Sequence, residues 1–256
     1  MSVGAPHRHY RRTDSTNTRA RELAAAGAPH GTVVTAAEQT EGRGRQGRTW
    51  TAPAGAALLY SAVLRPLEER HMTLPLAVPL AVCELAERLA PGTECGVKWP
   101  NDVQVAGRKL AGVLIEARPQ NGWAVIGVGL NLTIRPDQLP PPLCDTATSL
   151  FPDATGREGG EGGSPLGPYR TQRATTLALA SAKRGLDEGL ARWVEAERDE
   201  VLAAWRERDA LRGREISWEG GAGIADGIDD RGYLLVVTAD GDRVTLGSGE
   251  VHLAVR

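Results

Sequence analysis

Hydrophobic and polar residues in the first half of the chain form blocks that alternate between helical and strand spacing. Asp14 and Ser15 are typical helix-capping residues, and Gly27 is a typical helix end. Apolar runs bounded by glycine, proline and charged residues are typical of buried strands. The pattern predicts helices at Thr16–Ala26 and Thr73–Leu89, and strands at Thr32–Ala37, Ala57–Leu64, Gly96–Lys98, Asp102–Val105, Leu110–Ala117 and Ala124–Leu132.

A different pattern follows in the second half. Residues Asp153–Pro168 are rich in glycine, proline and charge, which predicts a flexible surface loop. Apolar residues in Thr175–Arg208 recur at helical spacing. Beyond Leu211 short apolar runs alternate with turn residues, and Asp240-Gly241 is a strong hairpin signal. Short strands are predicted there at Glu215–Trp218, Gly223–Gly227, Tyr233–Thr238, Arg243–Leu246 and Val251–Val255.

These elements predict an α+β protein in two parts. Residues 1–208 would form the main domain around a mixed sheet, with a flexible loop at 153–170. Residues 209–256 would form a small appended β-barrel. A chain of 256 residues, of which 41% are hydrophobic and 24% charged, can bury cores of that size.

Charge and cysteine content narrow the cellular setting and the partners. A net charge of −2 and a pI near 6.2 argue against a general nucleic-acid binder. The three cysteines (Cys83, Cys95 and Cys144) lack disulfide or metal-site spacing, so they predict reduced thiols and a cytoplasmic protein. We find no signal-peptide pattern, and the longest apolar run is shorter than the roughly 20 residues that a membrane span needs. We therefore expect no membrane association.

Lysine is scarce in this chain and is concentrated in one stretch. Of 30 basic residues only three are lysine, and two of these, Lys98 and Lys109, lie close together. An ammonium group is a compact, flexible point charge, whereas a guanidinium is a rigid fork. Such a cation suits a position between a carboxylate and a phosphate during a reaction. The alternative is that both are solvated surface lysines.

The segment Gly42–Arg48 alternates glycine with arginine. Glycine allows the backbone to approach a ligand closely, and arginine supplies forked donors for phosphate and carboxylate. Such a loop can be mobile when empty and fold over an anionic ligand. It matches neither a Walker A nor a Rossmann motif, and by composition it is also compatible with an RNA-binding segment or a solvated loop. Trp50 ends the segment, either as a stacking surface for a purine or as a packing anchor.

Two further motifs lie on predicted strands. Lys98 to Asp102 (KWPND) forms a rigid elbow in which Trp99 packs, while Asp102 either contacts Mg²⁺ or pairs with a basic side chain. Gly127 and Gly129 lie on one face of a strand. Repeated glycine there indicates either a flat ligand against the backbone or tight packing.

Together these motifs resemble those of the biotin protein ligases. The resemblance is carried, in order and spacing, by STN at Ser15–Asn17, EQTEGRGRQGRTW at Glu38–Trp50, KWPND at Lys98–Asp102, RKLAGVLIE at Arg108–Glu116 and GVGLN at Gly127–Asn131. It is close over Asp14–Leu132, whereas Thr133–Arg208 matches only loosely. The β-rich end resembles the SH3-like C-terminal domain of the same enzymes.

The resemblance implies an ATP-dependent ligase that acts in two steps. The biotin carboxylate would attack the α-phosphate of Mg-ATP to give biotinyl-5′-adenylate and pyrophosphate. A lysine of a biotin carboxyl carrier domain of an acyl-CoA carboxylase would then attack the adenylate to form an amide. ATP, Mg²⁺ and biotin are thus expected as co-substrate, metal and substrate, without a prosthetic group.

The resemblance also implies roles for individual residues. Lys109, Arg45 and Lys98 would be catalytic, and Asp102 would lie near the metal. Biotin would be bound by Ser15, Thr16, Asn17, Gln39, Arg43, Gly44, Arg45, Lys109, Gly112 and Gly129. ATP would be bound by Arg43, Arg45, Arg48, Trp50, Lys98, Lys109 and Asn131.

The sequence also leads to expectations about DNA binding, the oligomeric state and alternative functions. Some relatives carry an N-terminal helix-turn-helix domain, for which the residues ahead of Ser15 are too few, so we expect a monofunctional enzyme without DNA binding. A monomer or weak homodimer is expected. A lipoate–protein ligase of the same superfamily is the nearest rival, and an RNA-binding protein that uses the Gly42–Arg48 segment is the rival from another class.

Overall fold

The computed structural model describes residues 2–141, 143–152 and 172–253. The predicted loop at 153–170 lies outside the described residues. The helices are α1 Thr16–Ala25, α2 Leu74–Leu89, α3 Leu143–Thr146, α4 Gln172–Trp193 and α5 Arg198–Glu207. The strands are β1 His7–Tyr10, β2 Val33–Ala36, β3 Ala57–Leu64, β4 Cys95–Lys98, β5 Asp102–Val105, β6 Arg108–Arg118, β7 Trp123–Asn131, β8 Glu215–Trp218, β9 Gly221–Ile228, β10 Leu234–Val237, β11 Arg243–Leu246 and β12 Val251–Leu253.

A seven-stranded mixed sheet forms the main part, in the order β1-β2-β3-β7-β6-β5-β4. Strands β1 and β2 are parallel, and every other neighbouring pair is antiparallel. The central strands β3 and β7 are almost wholly buried because both faces of the sheet are covered. Helix α1 packs against β3 and β7, while α2 packs against β4, β5 and β6.

Helices α2 and α4 lie unusually close together at two glycines. A Cβ atom added to Gly185 would lie 2.6 Å from Leu85 Cδ1, and one added to Gly189 would lie 3.2 Å from Ala81 Cβ. Glycine weakens a helix in isolation, but here it allows the two helix backbones to approach. The tertiary contact therefore compensates for the low helix propensity of α4.

A second sheet of five strands, ordered β11-β10-β9-β8-β12, is antiparallel throughout. The predicted turn lies between β10 and β11, where Gly241 has a φ of +85° and its N–H bonds Thr238 O at 3.0 Å. The predicted α+β class with a mixed main sheet is confirmed. The region predicted to form a small β-barrel is this antiparallel sheet, and its closure into a barrel stays a prediction.

The two sheets share one hydrophobic core, which includes Leu76 and Trp99 from the main part and Val236 from the C-terminal sheet. Trp99 is 3% exposed and its indole N–H donates to Gly232 O at 3.1 Å. Trp99 is thus a packing residue, as predicted, and it joins the two parts. The domain boundary between residues 208 and 209 stays a prediction.

The structure differs from the predicted elements at three places, and one of them is the four-residue helix α3, which was not predicted. Strand β1 was missed because its residues are polar and mostly exposed, so that only backbone pairing with β2 marks it. The predicted helix Thr175–Arg208 is divided into α4 and α5, since Glu197 is extended, with φ −65° and ψ 149°. Trp193 and Trp205, one on each side of the break, are both buried.

The three cysteines are free, as expected. Within the described ranges no helix has both the length and the apolar character needed to cross a membrane.

Candidate functional site

A cavity lies between the start of α1, the Gly42–Arg48 segment and the face of β3, β6 and β7. Most of the residues predicted to bind ligands line it, although they come from distant parts of the chain. They are Ser15, Thr16, Asn17, Gln39, Arg43, Gly44, Arg45, Arg48, Trp50, Lys109, Gly112, Gly129 and Asn131.

Lys98 and Asp102 line an adjoining cavity rather than the main one. Arg45, Arg48 and Asn101 line both, so the two cavities are neighbours. Glu250 of the C-terminal sheet region also lines the second cavity. The predicted site residues thus line two cavities that lie next to each other.

One end of the main cavity is a buried network of uncharged groups. The backbone N–H and the hydroxyl of Thr16 both donate to Gln39 Oε1, at 2.7 and 2.9 Å. Ser61 Oγ lies 2.8 Å from Thr16 Oγ1 and 2.6 Å from Asn17 Oδ1. Thr16, Asn17 and Ser61 are each at most 4% exposed. We call Thr16, Asn17, Gln39 and Ser61 the neutral network.

Asp14 organises the start of α1 without using Ser15 as a capping side chain. Asp14 Oδ1 accepts the backbone N–H of Ser15 at 2.7 Å, and Arg19 donates to both carboxylate oxygens. The hydrogen bonds from Arg19 hold the pKa of Asp14 well below its usual range. Ser15 precedes the helix but makes no side-chain capping bond, so its hydroxyl is not needed to form α1.

The other end has three cations, Arg45, Arg48 and Lys109, and Lys98 lies in the adjoining cavity. We call these four residues the cationic cluster. Lys109 Nζ lies 2.7 Å from Asp102 Oδ1. Arg45 donates to Asn101 Oδ1 at 3.3 Å. Burial lowers the pKa of Lys98, with further contributions from Lys109 and Arg48, and burial likewise lowers the pKa of Arg45. The cluster is therefore a region in which an anion would be stabilised.

The Trp50 ring covers the glycines of the central strands. A Cβ atom on Gly129 would lie 2.6 Å from Trp50 Cζ2, and one on Gly112 would lie 3.0 Å from Trp50 Cζ3. The Lys109 ammonium lies 5.7 Å from the centroid of this ring, within the range of a cation–π contact. The room that the glycines provide is thus filled by an indole next to the cationic cluster.

The Gly42–Arg48 segment has a defined path across the cavity. Gly44 N–H bonds Arg48 O at 2.7 Å and Trp50 N–H bonds Gly42 O at 2.9 Å, which closes the segment on itself. Arg48 pairs with Glu250, and Arg43 pairs with Glu116 at 3.3 Å. Both arginines are thereby held by carboxylates from outside the segment.

Some residues of the site were not singled out by the sequence. Ser61 is a polar residue within the apolar strand β3, which is a detectable signal. Glu116 lies within the RKLAGVLIE motif but had no assigned role. Glu250 carried no local signal, since it lies 202 positions from its partner Arg48. Asn131, in contrast, was expected from the sequence to bind ATP. Its side-chain amide donates a hydrogen bond to Thr148 O at 2.9 Å.

Comparison with known proteins identifies the family of the chain. Residues 9–132 match the biotin/lipoate A/B protein ligase family, and residues 220–253 match the biotin protein ligase C terminal domain. A biotin–[acetyl-CoA-carboxylase] ligase of Mycobacterium tuberculosis is 36% identical over 254 residues, which cover 94% of this chain and 86% of the relative. The chain belongs to the biotin protein ligase family. A second such ligase, of Paracoccus denitrificans, is 35% identical, with coverage of 88% of this chain and 91% of the relative.

The family assignment extends to the fold. The biotin protein ligase of Aquifex aeolicus, solved in complex with biotin and ATP, superposes with a TM-score of 0.74 at 28% identity. The superposition covers 98% of this chain and 99% of that one. The mixed sheet and the C-terminal sheet of the ligase are therefore both features of the family fold.

Proposed function

We propose that the chain couples biotin to a carrier protein in two steps at this site. Biotin and ATP would form biotinyl-5′-adenylate and pyrophosphate, and a lysine amine would then displace AMP to form an amide. One observation carries the proposal: a single cavity joins a buried, uncharged hydrogen-bonding network to a cluster of cations. Biotin has the same division, with a neutral ureido ring at one end and a carboxylate at the other.

The neutral network is suited to the ureido ring. Three oxygen–oxygen contacts link the side chains: Gln39 with Thr16, Thr16 with Ser61, and Ser61 with Asn17. Only the hydroxyls of Thr16 and Ser61 can donate a proton to them, so there are two protons for three contacts. The wall is thus rich in hydrogen-bond acceptors, and the N–H groups of a ureido ring would complement it. Ser15 would add a hydroxyl that the helix does not use.

The cationic cluster is suited to the reacting groups. Negative charge develops on carboxylate and phosphate oxygens in both steps, and positioned cations stabilise such charge. Lys109 would exchange its contact with Asp102 for the biotin carboxylate and the α-phosphate. Arg45, Arg48 and Lys98 would hold the remaining phosphate oxygens, with Arg43 and Gly44 above the biotin tail. Trp50 and Asn131 would face the adenine.

The acidic residues present fit a magnesium ion that is bound mainly by the nucleotide. Mg²⁺ in nucleotide sites typically takes one or two carboxylates and substrate phosphates. Asp102 supplies such a carboxylate beside the cations, and its oxygen lies next to Lys109. Bound there, the metal would neutralise charge on the polyphosphate while Lys109 moves to the reacting oxygens.

The Gly42–Arg48 segment would protect the adenylate from water. A mixed anhydride hydrolyses readily when exposed, so a covering loop favours transfer over hydrolysis. The internal backbone bonds of the segment and its pairing with Glu116 and Glu250 support a covering role. The net charge of −2 disfavours the RNA-binding alternative, because RNA-binding domains are usually strongly basic.

Biotin is favoured over lipoate by the neutral network. The dithiolane ring of lipoate has no N–H groups and would leave these buried polar atoms without partners. Sites built to hydrogen-bond a polar group discriminate against analogues that lack it, with a kcat/KM lower by about 10⁴-fold. We therefore propose the biotin carboxyl carrier domain of an acyl-CoA carboxylase as acceptor.

The decisive test is mass spectrometry of a purified biotin carrier domain after incubation with the ligase, ATP, magnesium and biotin. A mass increase equal to biotinylation of one lysine is expected, with none when lipoate replaces biotin. Modification with lipoate instead would contradict the proposal. The absence of DNA binding and the monomeric or weakly dimeric state stay predictions, which a gel shift and sedimentation would check.

A further inference from the structure

Glu116 lies just outside the main cavity, on β6 behind the neutral network. Its side chain is 13% exposed and does not line the cavity. Glu116 Oε2 accepts a hydrogen bond from Asn17 Nδ2 at 2.9 Å. A group in this position can act on a ligand only through the residues that it touches.

The surroundings of Asn17 determine which way its amide points. Asn17 Nδ2 faces two acceptors, Glu116 Oε2 and Leu114 O at 3.4 Å, while Asn17 Oδ1 faces the hydroxyl of Ser61. A reversed amide would bring its oxygen against a carboxylate and a carbonyl oxygen, which is unfavourable. The amide therefore keeps its oxygen available as an acceptor on the side of Gly127, which also lines the cavity.

Two arginines hold Glu116 at its other oxygen. Arg21 and Arg43 lie 3.2 and 3.3 Å from Glu116 Oε1, whereas Oε2 bonds only Asn17 among the contacts of the described residues. The cations restrain the carboxylate from one side, and Asn17 is oriented from the other. Charge-assisted hydrogen bonds of this kind are stronger than neutral ones.

We infer that Glu116 is a positioning residue for recognition of the ureido ring of biotin, acting through the Asn17 amide. The inference rests on the proposed function. Fixing Asn17 Oδ1 as an acceptor in advance lowers the cost of ordering that side chain when a ligand N–H binds. Arg43 adds a link between the ureido end of the cavity and the Gly42–Arg48 segment.

The test measures binding by calorimetry, with biotin and biotin methyl ester as ligands. The ester keeps the ureido ring but has no carboxylate. We expect Glu116→Ala to weaken both ligands equally, by about tenfold, since a charge-assisted hydrogen bond is lost. Glu116→Gln, whose amide oxygen can still accept from Asn17, is expected to stay within about threefold of the wild type. Glu22→Gln, an exposed carboxylate on α1, is the matched control and should bind normally.

A donor–acceptor exchange provides a measurement that does not depend on the alanine variant folding. Asn17→Asp places an oxygen against Glu116 and should weaken biotin by at least about tenfold. Adding Glu116→Gln supplies an amide donor to the new carboxylate at position 17. The double variant should therefore bind biotin at least about threefold more tightly than Asn17→Asp alone.

The outcomes separate the inference from the proposed function. A wild-type protein that binds neither biotin nor its ester would overturn both. If the wild type binds normally, any one of three results would overturn the inference alone. These are unchanged binding by Glu116→Ala, a loss in that variant confined to free biotin, and no recovery of binding in the double variant.

Discussion

The side chains at the two ends of the cavity are held in position by different kinds of interaction. At the neutral network Thr16, Asn17 and Ser61 are almost completely buried, and they bond one another and Gln39 in a single connected arrangement. In the cationic cluster Lys109 is 31% and Arg48 49% exposed, and each pairs with a carboxylate, Asp102 or Glu250. One end is fixed by buried hydrogen bonds, the other by exchangeable ion pairs.

The difference follows from the cost of burying each kind of group. Neutral hydroxyls and amides can be buried when they are hydrogen-bonded, so their positions can be set before the ligand arrives. Cations that must later bind phosphate cannot be left buried without partners, because unpaired charge in an apolar environment is very costly. Internal carboxylates at this end pair with Lys109 and Arg48 and remain displaceable. Recognition of biotin would therefore be rigid, and binding of the nucleotide would involve exchange of partners.

The largest effect is expected at Lys109, where the two ends meet. Lys109→Ala should reduce adenylate formation by about 100-fold or more while the fold is retained, because a charge aimed at the reacting oxygens is lost. Lys109→Arg should also be strongly impaired, since a planar guanidinium cannot replace the ammonium between two oxygens. Biotin-dependent pyrophosphate release measures both variants.

Lys183 provides the control for this substitution. It is the third lysine of the chain and forms an ion pair with Asp187 at 2.6 Å, away from the cavity. Lys183→Arg should keep a normal rate. Near-normal pyrophosphate release by Lys109→Ala would refute the central role of the ammonium.

A smaller effect is expected within the neutral network. Thr16→Val keeps the shape of the side chain but removes the hydroxyl that bonds Gln39 and Ser61, so KM for biotin should rise about tenfold. KM for ATP should not change, because the cationic cluster is untouched. Thr18→Val, on the same helix, is the control. An equal rise in both KM values would show that the two ends are not independent.

The cationic cluster should reveal itself in the pH dependence of the reaction. Burial lowers the pKa of Lys98, so this ammonium loses its proton at a lower pH than an ordinary lysine does. The pH dependence of kcat/KM reports the pKa values of groups in the free enzyme. As pH rises through the pKa of Lys98, kcat/KM for ATP should therefore fall by up to about tenfold per pH unit. Lys98→Arg should abolish the alkaline decline, because arginine stays protonated. The same decline in Lys98→Arg would assign it to another group.

The smallest effect is expected at the ion pair between Arg48 and Glu250. Both side chains are partly exposed, and such pairs contribute at most about 1 kcal/mol. Glu250→Ala should therefore increase tryptic cleavage within Gly42–Arg48 by up to about fivefold in the absence of ligand. Glu219→Ala, an exposed carboxylate in the turn between β8 and β9, is the control. Biotin and ATP together should suppress cleavage in every variant, and full protection without ligand would contradict the predicted mobility of the segment.

Strongly patterned elements were predictable from the sequence, and weakly patterned ones were not. The apolar runs of β3 and β7 predicted buried strands at nearly the observed bounds. Strand β1 has no alternation to detect, and the end of α4 has no glycine or proline to mark it. Strand β1 is formed by backbone pairing with β2, which its local sequence does not reveal.

The sequence by itself determined which chemical groups are available: the ammonium of Lys109, the arginine–glycine segment and the Ser15–Asn17 triplet are written as contiguous motifs. Only the tertiary structure decided how they are paired. Asn17 meets Glu116 across 99 positions, and Arg48 meets Glu250 across 202. Residue type is a local property, whereas contact between distant residues depends on strand order and packing. The orientation of an amide or the partner of a cation therefore becomes visible only once the sheets are assembled.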